Sequence, residues 1–586
     1  LKLEVRPSRR SSLALALVAA ALCCCAAASS ASSALPRTHA PGASRARELS
    51  SSAQEARRDG ANSQARRGAG NSARRGGAGA QLAELLAEGV AALNRGDERA
   101  AAEAFRRALE ADPDNVEAHT YLGVLADRAG DLKQAEQHFA AAAALAPMSA
   151  SARNNYGAIL VRTGRTRLAA AQFEASLRLD GRQPNALVNL AQIRFAAGST
   201  EDLRAARELF ERAYAVAPDA EIARALVVVS LRLGDKERAA SHYREYAARA
   251  GEGQTTATAA ARSELGQALL ASGLTAEAIS ELEAATALDA SDVNTIVALG
   301  RAHLKRNDIK AAGRTLEQAV ARGMDAAPVY AALAEVYAAG GYVENAIPAM
   351  RLALARDPSN ELYHLRYGLL LNDSKAPGAA VIRLREAVAE FPRSPRLWLA
   401  LGIAQLHDGK NDDAQVSLRR SLELDPQSIP ALAYLGTTYA ERGRYDDAVS
   451  YYERAIAAGG QVAAPYYLAA DALLEFPQVD APRIEKYLKR AIELDAEFAS
   501  ARFALARLFV RAERWAEAAE QLEQVVRLDP DFADARYQLG RVYVRLKRPA
   551  DAKRELDVFQ AMSKAQKEKR ESDRREIVRR LADVRF

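Results

Sequence analysis

The chain of 586 residues is long enough for several ordinary domains or for one extended repeat array. It is 49% hydrophobic but only 6% aromatic, so its apolar content is chiefly Ala and Leu, and with 27% charged residues that mix favours helix over sheet. The net charge of +6 divides into +9 over residues 1–80 and −3 over the remainder, which removes the chain-wide basic field expected of a nucleic-acid binder. The three cysteines are consecutive, Cys23 to Cys25, which excludes a disulfide framework or a thiolate metal site further along.

Arg6, Arg9 and Arg10 precede an uncharged apolar run from Leu13 to Ala28, followed by small residues to Ala34. That order is the one found in export signals, so 1–35 reads as a signal peptide or, because the run is only just too short to span, as an N-terminal anchor. Ala26-Ala27-Ala28 and Ser32-Ser33-Ala34 both offer a cleavage point. Ser8-Arg9-Arg10 also resembles a twin-arginine signal, without the aromatic usual after the arginine pair. Residues 36–80 are Arg, Ala, Gly and Ser with almost no large apolar side chain, and they read as a disordered linker that cannot offset its chain entropy. The Arg pairs at 57–58, 66–67 and 74–75 lack interleaved aromatics, which favours a solvated tether over a nucleic-acid contact.

Beyond residue 80 one pattern recurs. A Gly or Ala, usually after a large apolar residue, stands at Gly89, Gly123, Gly157, Ala191, Gly266, Gly300, Ala334, Gly368, Gly402, Gly436, Ala470, Ala506 and Gly540, most of them 34 residues apart, and Val227 fills the one gap. An Ala follows 12 residues later in nearly every copy, as at Ala101, Ala278, Ala414 and Ala518, and a large apolar residue such as Phe105, Phe173 or Tyr452 comes 4 further on. Each period holds two runs with helical apolar spacing, a turn with Gly or Asn between them, and often an Asp-Pro stop such as Asp425-Pro426. Departures are short insertions near Ser199–Leu203 and Phe476–Asp480 and a longer connector, 251–258, which offers either a hinge or a plain turn.

The pattern resembles the tetratricopeptide (TPR) repeat, and the copy Trp398, Leu401-Gly402, Gln405, Gly409, Ala414, Leu418, Ser421, Pro426 carries it well. The resemblance covers Leu82 to Phe559 and implies an all-α fold: a right-handed superhelical solenoid of about fourteen TPR helix-turn-helix repeats. Repeats 1–5 are expected in 81–250 and repeats 6–14 in 259–560, closed by a charged C-terminal capping helix over 561–586.

No H-E-x-x-H, G-x-x-x-x-G-K-[ST] or G-x-S-x-G occurs, and none of the seven His forms an i, i+4 pair, so the sequence offers no catalytic constellation, metal site or cofactor loop. The family resemblance instead implies a concave groove lined by first-helix residues and a non-enzymatic scaffold that binds segments of other proteins. Reading those positions gives a polar zone at Thr120, Asn154, Asn185 and Gln192, with Arg162 nearby, and an apolar zone at Leu365, Leu369, Leu399 and Ile403. A third zone sets Tyr467, Phe503 and Tyr537 one repeat apart beside Asp471, Arg507, Arg511, Arg541 and Arg545, an arrangement suited to an extended or helical peptide carrying acidic residues. It does not resemble the carboxylate-clamp form of the repeat, for which Asn154 and Asn155 alone are insufficient. The expected setting is the bacterial cell envelope, in envelope, secretion or polysaccharide-export assembly. The alternatives are a cytoplasmic adaptor or a regulatory subunit delivering substrate to a separate enzyme.

Overall fold

The structure, a computed structural model, describes residues 75–251, 257–459, 461–476 and 480–564. The expected signal segment 1–35, nearly all of the linker, the middle of the connector and most of the capping helix lie outside the described residues. Every element described is a helix, and among the described residues there is no strand.

The first helices are α1 (Arg75–Asn94), α2 (Glu98–Ala111), α3 (Val116–Arg128), α4 (Leu132–Leu145), α5 (Ala150–Arg162), α6 (Thr166–Leu179) and α7 (Pro184–Ala197). After them come α8 (Thr200–Val216), α9 (Ala220–Arg232), α10 (Lys236–Gly251), α11 (Ala259–Ala271), α12 (Thr275–Leu288), α13 (Val293–Lys305) and α14 (Ile309–Ala321). The chain continues with α15 (Ala327–Ala339), α16 (Val343–Arg356), α17 (Glu361–Asp373), α18 (Pro377–Glu390), α19 (Pro395–His407), α20 (Asn411–Leu424) and α21 (Ile429–Ala440). It ends with α22 (Tyr445–Ala458), α23 (Ala463–Leu474), α24 (Ala481–Leu494), α25 (Ala499–Arg511), α26 (Trp515–Leu528), α27 (Ala533–Arg545) and α28 over 549–564. Odd and even helices pair as α1 with α2 through α27 with α28, fourteen helix-turn-helix pairs in solenoid order. They form two compact units, one ending at Asp325 and the other starting at Ala326.

The pairs close where the small residue of the first helix meets the large residue of the second. A Cβ added at Gly402 would lie 2.7 Å from Leu418 Cγ, at Gly436 2.6 Å from Tyr452 Cε1, and at Gly157 2.6 Å from Phe173 Cε1. Leu418, Tyr452 and Phe173 are buried, so they cannot swing aside. Consecutive pairs are joined by a recurring polar tie, from a first-helix side chain to the carbonyl six residues before it. Trp398 Nε1 donates to Pro392 O at 3.0 Å, Arg536 Nε to Pro530 O at 2.9 Å, and His364 Nε2 to Pro358 O at 2.8 Å. The turn inside a pair needs a left-handed residue, which Gly409 supplies at φ 74 and Lys375, one repeat earlier, adopts at φ 62.

The structure adds detail at three places. Helix α1 begins at Arg75, inside the stretch 36–80 expected to be disordered. The insertion near Ser199–Leu203 is absorbed by lengthening α8 to 17 residues. The connector does not part the core. Tyr243 and Tyr246 on α10 pack with Leu265 and Leu269 on α11, and the compact units divide after Asp325, not at 251–258. A buried carboxylate adds to that joint: Glu281 on α12 accepts from Tyr243 OH at 3.1 Å, from Tyr246 OH at 3.3 Å and from Arg262 Nη1 at 3.3 Å.

Gly402→Val is expected to destabilise the second unit by about 1–3 kcal/mol through overpacking against Leu418, seen as faster hydrogen exchange in α19 and α20. Unchanged protection would contradict the register. Burial raises the Glu281 carboxyl above the usual range, against the pull of Arg262 and the two tyrosines. The folded state therefore binds this proton more tightly than the unfolded chain. The corresponding stability is complete below the ordinary carboxylate pKa and is lost as pH rises through the folded value. Glu281→Gln should flatten that part of the pH profile of the unfolding midpoint; a profile as steep as before would show that Glu281 does not titrate there.

Candidate functional site

The odd-numbered helices carry side chains that repeat on one face, and in the second unit two columns stand out. One runs Leu369, Ile403, Thr437, Asp471, Arg507, Arg541; the other runs Asp373, His407, Glu441, Glu475, Arg511, Arg545, with most steps of 34 residues. Both change from apolar or acidic to basic between α23 and α25. The sign reversal in the second column was present in the sequence at that spacing, but Asp373, His407 and Glu441 are missed when aromatics alone guide the search.

The reversal is sharpened by poor hydration. Asp373, His407 and Glu441 reach solvent, yet burial raises the carboxyls of Asp373 and Glu441 and lowers His407. His407 pulls Asp373 back down and Asn411 does the same for Glu441, without cancelling the effect. These side chains are exposed, yet the protein around them still disfavours their charged forms.

The expected site residues fall into two kinds. Many are committed to packing. Tyr467 and Phe503 are buried, ring to ring with Phe498 at 5.0 Å and Phe532 at 4.9 Å. Leu399 and Ile403 are buried in the same core, while Leu365 and Leu369 are half-buried against α18 and its neighbours. Thr120 is buried and donates to Val116 O at 2.8 Å within its own helix. Arg162 pairs with Asp127 of the preceding repeat. Arg507, placed by the sequence in the third groove zone, is largely covered and held between Asp471 at 3.5 Å and Glu475 at 3.6 Å.

Others are available. Asn185 and Gln192 are exposed, and buried Asn154 has an Oδ1 with no hydrogen-bond partner. Tyr537 is 40% exposed beside Phe559, with Arg541 5.8 Å from its ring centroid. Arg511 donates to Leu474 O at 2.7 Å and Arg545 lies 5.7 Å from the Trp515 ring. Among the described residues Arg511, Arg541 and Arg545 make no ion pair. A cleft of about 270 Å³ opens among them, lined by Phe503, Arg507, Val510, Arg511, Leu522 and Arg541 with Ala506 and Gln538, so four of the expected residues, Phe503, Arg507, Arg511 and Arg541, meet at one place.

One histidine contact escapes a search for i, i+4 pairs. His119 and His138, on α3 and α4, approach to 3.0 Å between their Nδ1 atoms, and His119 Nε2 reaches Pro113 O at 3.0 Å. With Nε2–H donating to that carbonyl, His119 Nδ1 accepts from His138. The contact is a packing bond within one repeat. Among the described residues no three or more His, Cys, Asp or Glu gather as metal ligands, and no helix is long and apolar enough to cross a membrane.

Stacked helix pairs with a one-sided column of side chains define a helical-repeat scaffold for other proteins. Models of the tetratricopeptide repeat match residues 86–150, 155–202, 197–255, 370–429, 435–496 and 503–558, and related ones match 269–336, 417–450 and 327–360. The chain belongs to the tetratricopeptide repeat family.

It is 31% identical over 168 residues to the type IV pilus assembly protein PilF of Pseudomonas aeruginosa, covering 28% of this chain and 66% of that one. It is 23% identical over 164 residues to anaphase-promoting complex subunit 3 of Schizosaccharomyces pombe, covering 28% of this chain and 24% of that one. The chain thus spans less than two thirds of either relative. A solved APC/C hetero-tetramer, Cut9-Hcn1, matches 79% of this chain and 96% of its own at 13% identity and a TM-score of 0.37.

Tyr467→Ala should cost about 3–5 kcal/mol, because it empties a buried aromatic site. Tyr537→Ala should cost under about 1 kcal/mol, as an exposed ring does. Denaturant midpoints of the two variants check this; equal losses would mean that both rings are packing groups.

Proposed function

We propose that the chain is a non-enzymatic adaptor that holds extended or helical segments of partner proteins against its odd-numbered helices, and that it does so in the cell envelope. The observation that carries the binding reading is the cleft at α25–α27, where apolar side chains meet three arginines, two of which, Arg511 and Arg541, have no carboxylate partner among the described residues. Large apolar residues ringed by guanidinium groups are the chemistry of interface anchors.

The envelope setting rests on the order Arg6, Arg9, Arg10, then Leu13–Ala28, then small residues, which is that of an export signal. The local similarity to a pilus assembly protein agrees with it. Assembly of envelope, secretion or polysaccharide-export machinery is the role that fits both.

Crosslinking in the native cells, followed by mass spectrometry, tests the reading. Crosslinks from odd-numbered helices to a small set of envelope proteins, with no peptide covering 13–28 in the mature chain, are expected. Crosslinks confined to cytosolic proteins, with 13–28 retained, would replace the envelope adaptor by a cytoplasmic one. Crosslinks only from even-numbered helices would overturn the groove.

A further inference from the structure

The arginines around the α25–α27 cleft are not equivalent, and the difference specifies what the cleft accepts. Arg507 is neutralised in place by Asp471 and Glu475. Arg511 has one N–H on the Leu474 carbonyl and no carboxylate, while Arg541 and Arg545 lie near aromatic rings and have none. Three cations on neighbouring turns of α25 and α27 thus lack a counter-charge among the described residues, and two of them line the cleft. Gln538, also in the lining, adds an amide that can donate or accept. Beneath them the buried Phe503 and Leu522 and the half-buried Val510 close the bottom of the cleft, which no charged group can enter cheaply.

Resting on the adaptor reading above, we propose that this cleft takes an acidic–apolar pair from the partner: one bulky apolar side chain on the floor, flanked by Asp or Glu carboxylates on Arg541, Arg511 and Arg545. The preceding helices fix the direction of the segment. Asp373 ends α17 and Glu441 directly follows α21 in the same column, where a carboxylate of the partner meets like charge; Glu475, just past α23, is already paired with Arg507. An acidic stretch is therefore accepted at the α25–α27 end and refused at the α17–α21 end, so the groove reads charge order along the partner.

The test uses the full chain and a fluorescent peptide whose one half is a Phe or Leu between Glu residues and whose other half is Gly and Ser, with a photo-crosslinker at the acidic end. Binding is followed by anisotropy at low and high salt. Arg541→Glu and Arg545→Glu lie on exposed positions and should fold normally, which circular dichroism checks. Each is expected to weaken binding by about tenfold or more, since a charge-assisted contact becomes a repulsion. Photo-crosslinks should fall on α25 and α27. A Lys-for-Glu version of the peptide should bind more weakly than the acidic one.

No binding of the acidic peptide, unchanged binding by Arg541→Glu, equal binding of the Lys version, or crosslinks on α17–α21 would each overturn the proposal. A single-stranded oligonucleotide bound as tightly as the peptide would overturn it too, by showing an unspecific anion surface. If these tests fail while crosslinks in cells still place a partner on the odd-numbered helices, the adaptor reading stands and only the acidic specificity is lost.

Discussion

Most repeats depend on one close approach: a glycine or alanine on the first helix facing a large residue on the second. With Gly402 against Leu418, Gly436 against Tyr452 and Gly157 against Phe173, no space remains for even a methyl group. That contact sets how deeply the paired helices interlock, and hence which face of the first helix is left outside. The side-chain columns are a consequence. Where the small residue is absent the pair still closes: Val227 is fully buried in one core with Tyr243.

Much of the polar surface is then committed to holding repeats in line. Trp398, His364 and Arg536 close the turn before their own helices. A second set reaches back one repeat: His407 to Asn372 at 2.8 Å, Lys305 to Leu270 O at 2.9 Å, and Arg511 to Leu474 O at 2.7 Å. Lys305 and Arg511 thereby meet carbonyls at the C-terminal ends of preceding first helices, where positive charge is favoured. A cation on the inner face of such an array is therefore a joint unless something else is shown. Arg507, between Asp471 and Glu475, is a joint in this sense, while Arg541 is not.

The fold was legible because it is written many times over. One copy around Gly402 could be chance, but the same spacing from Gly89 to Gly540 could not, and helix pairing follows from it. The start of α1 was not legible, because Arg75 to Ala80 has the Gly and Ala content of the linker and no apolar stripe of its own. The site was half legible. Repeat position located Arg511, Arg541 and Tyr537 correctly on the first helices, but position alone cannot separate an aromatic that faces outward from one that packs on the next turn. Tyr467 and Phe503 pack because Phe498 and Phe532 precede α25 and α27, a pairing that spans a turn and leaves no periodic trace within a helix. Charge compensation was equally hidden: that Arg507 is neutralised depends on two carboxylates one repeat earlier.

A charge reversal inside one column is electrostatically costly to maintain, and that cost is informative. Asp373 and Glu441 are held where burial disfavours their ionised forms, while Arg511, Arg541 and Arg545 have no carboxylate partner among the described residues. On the proposed reading, a partner carboxylate entering among the arginines supplies the counter-charge they lack, whereas one entering beside Asp373 meets like charge. The difference between those two events is what would let a helical array select the direction of a flexible segment.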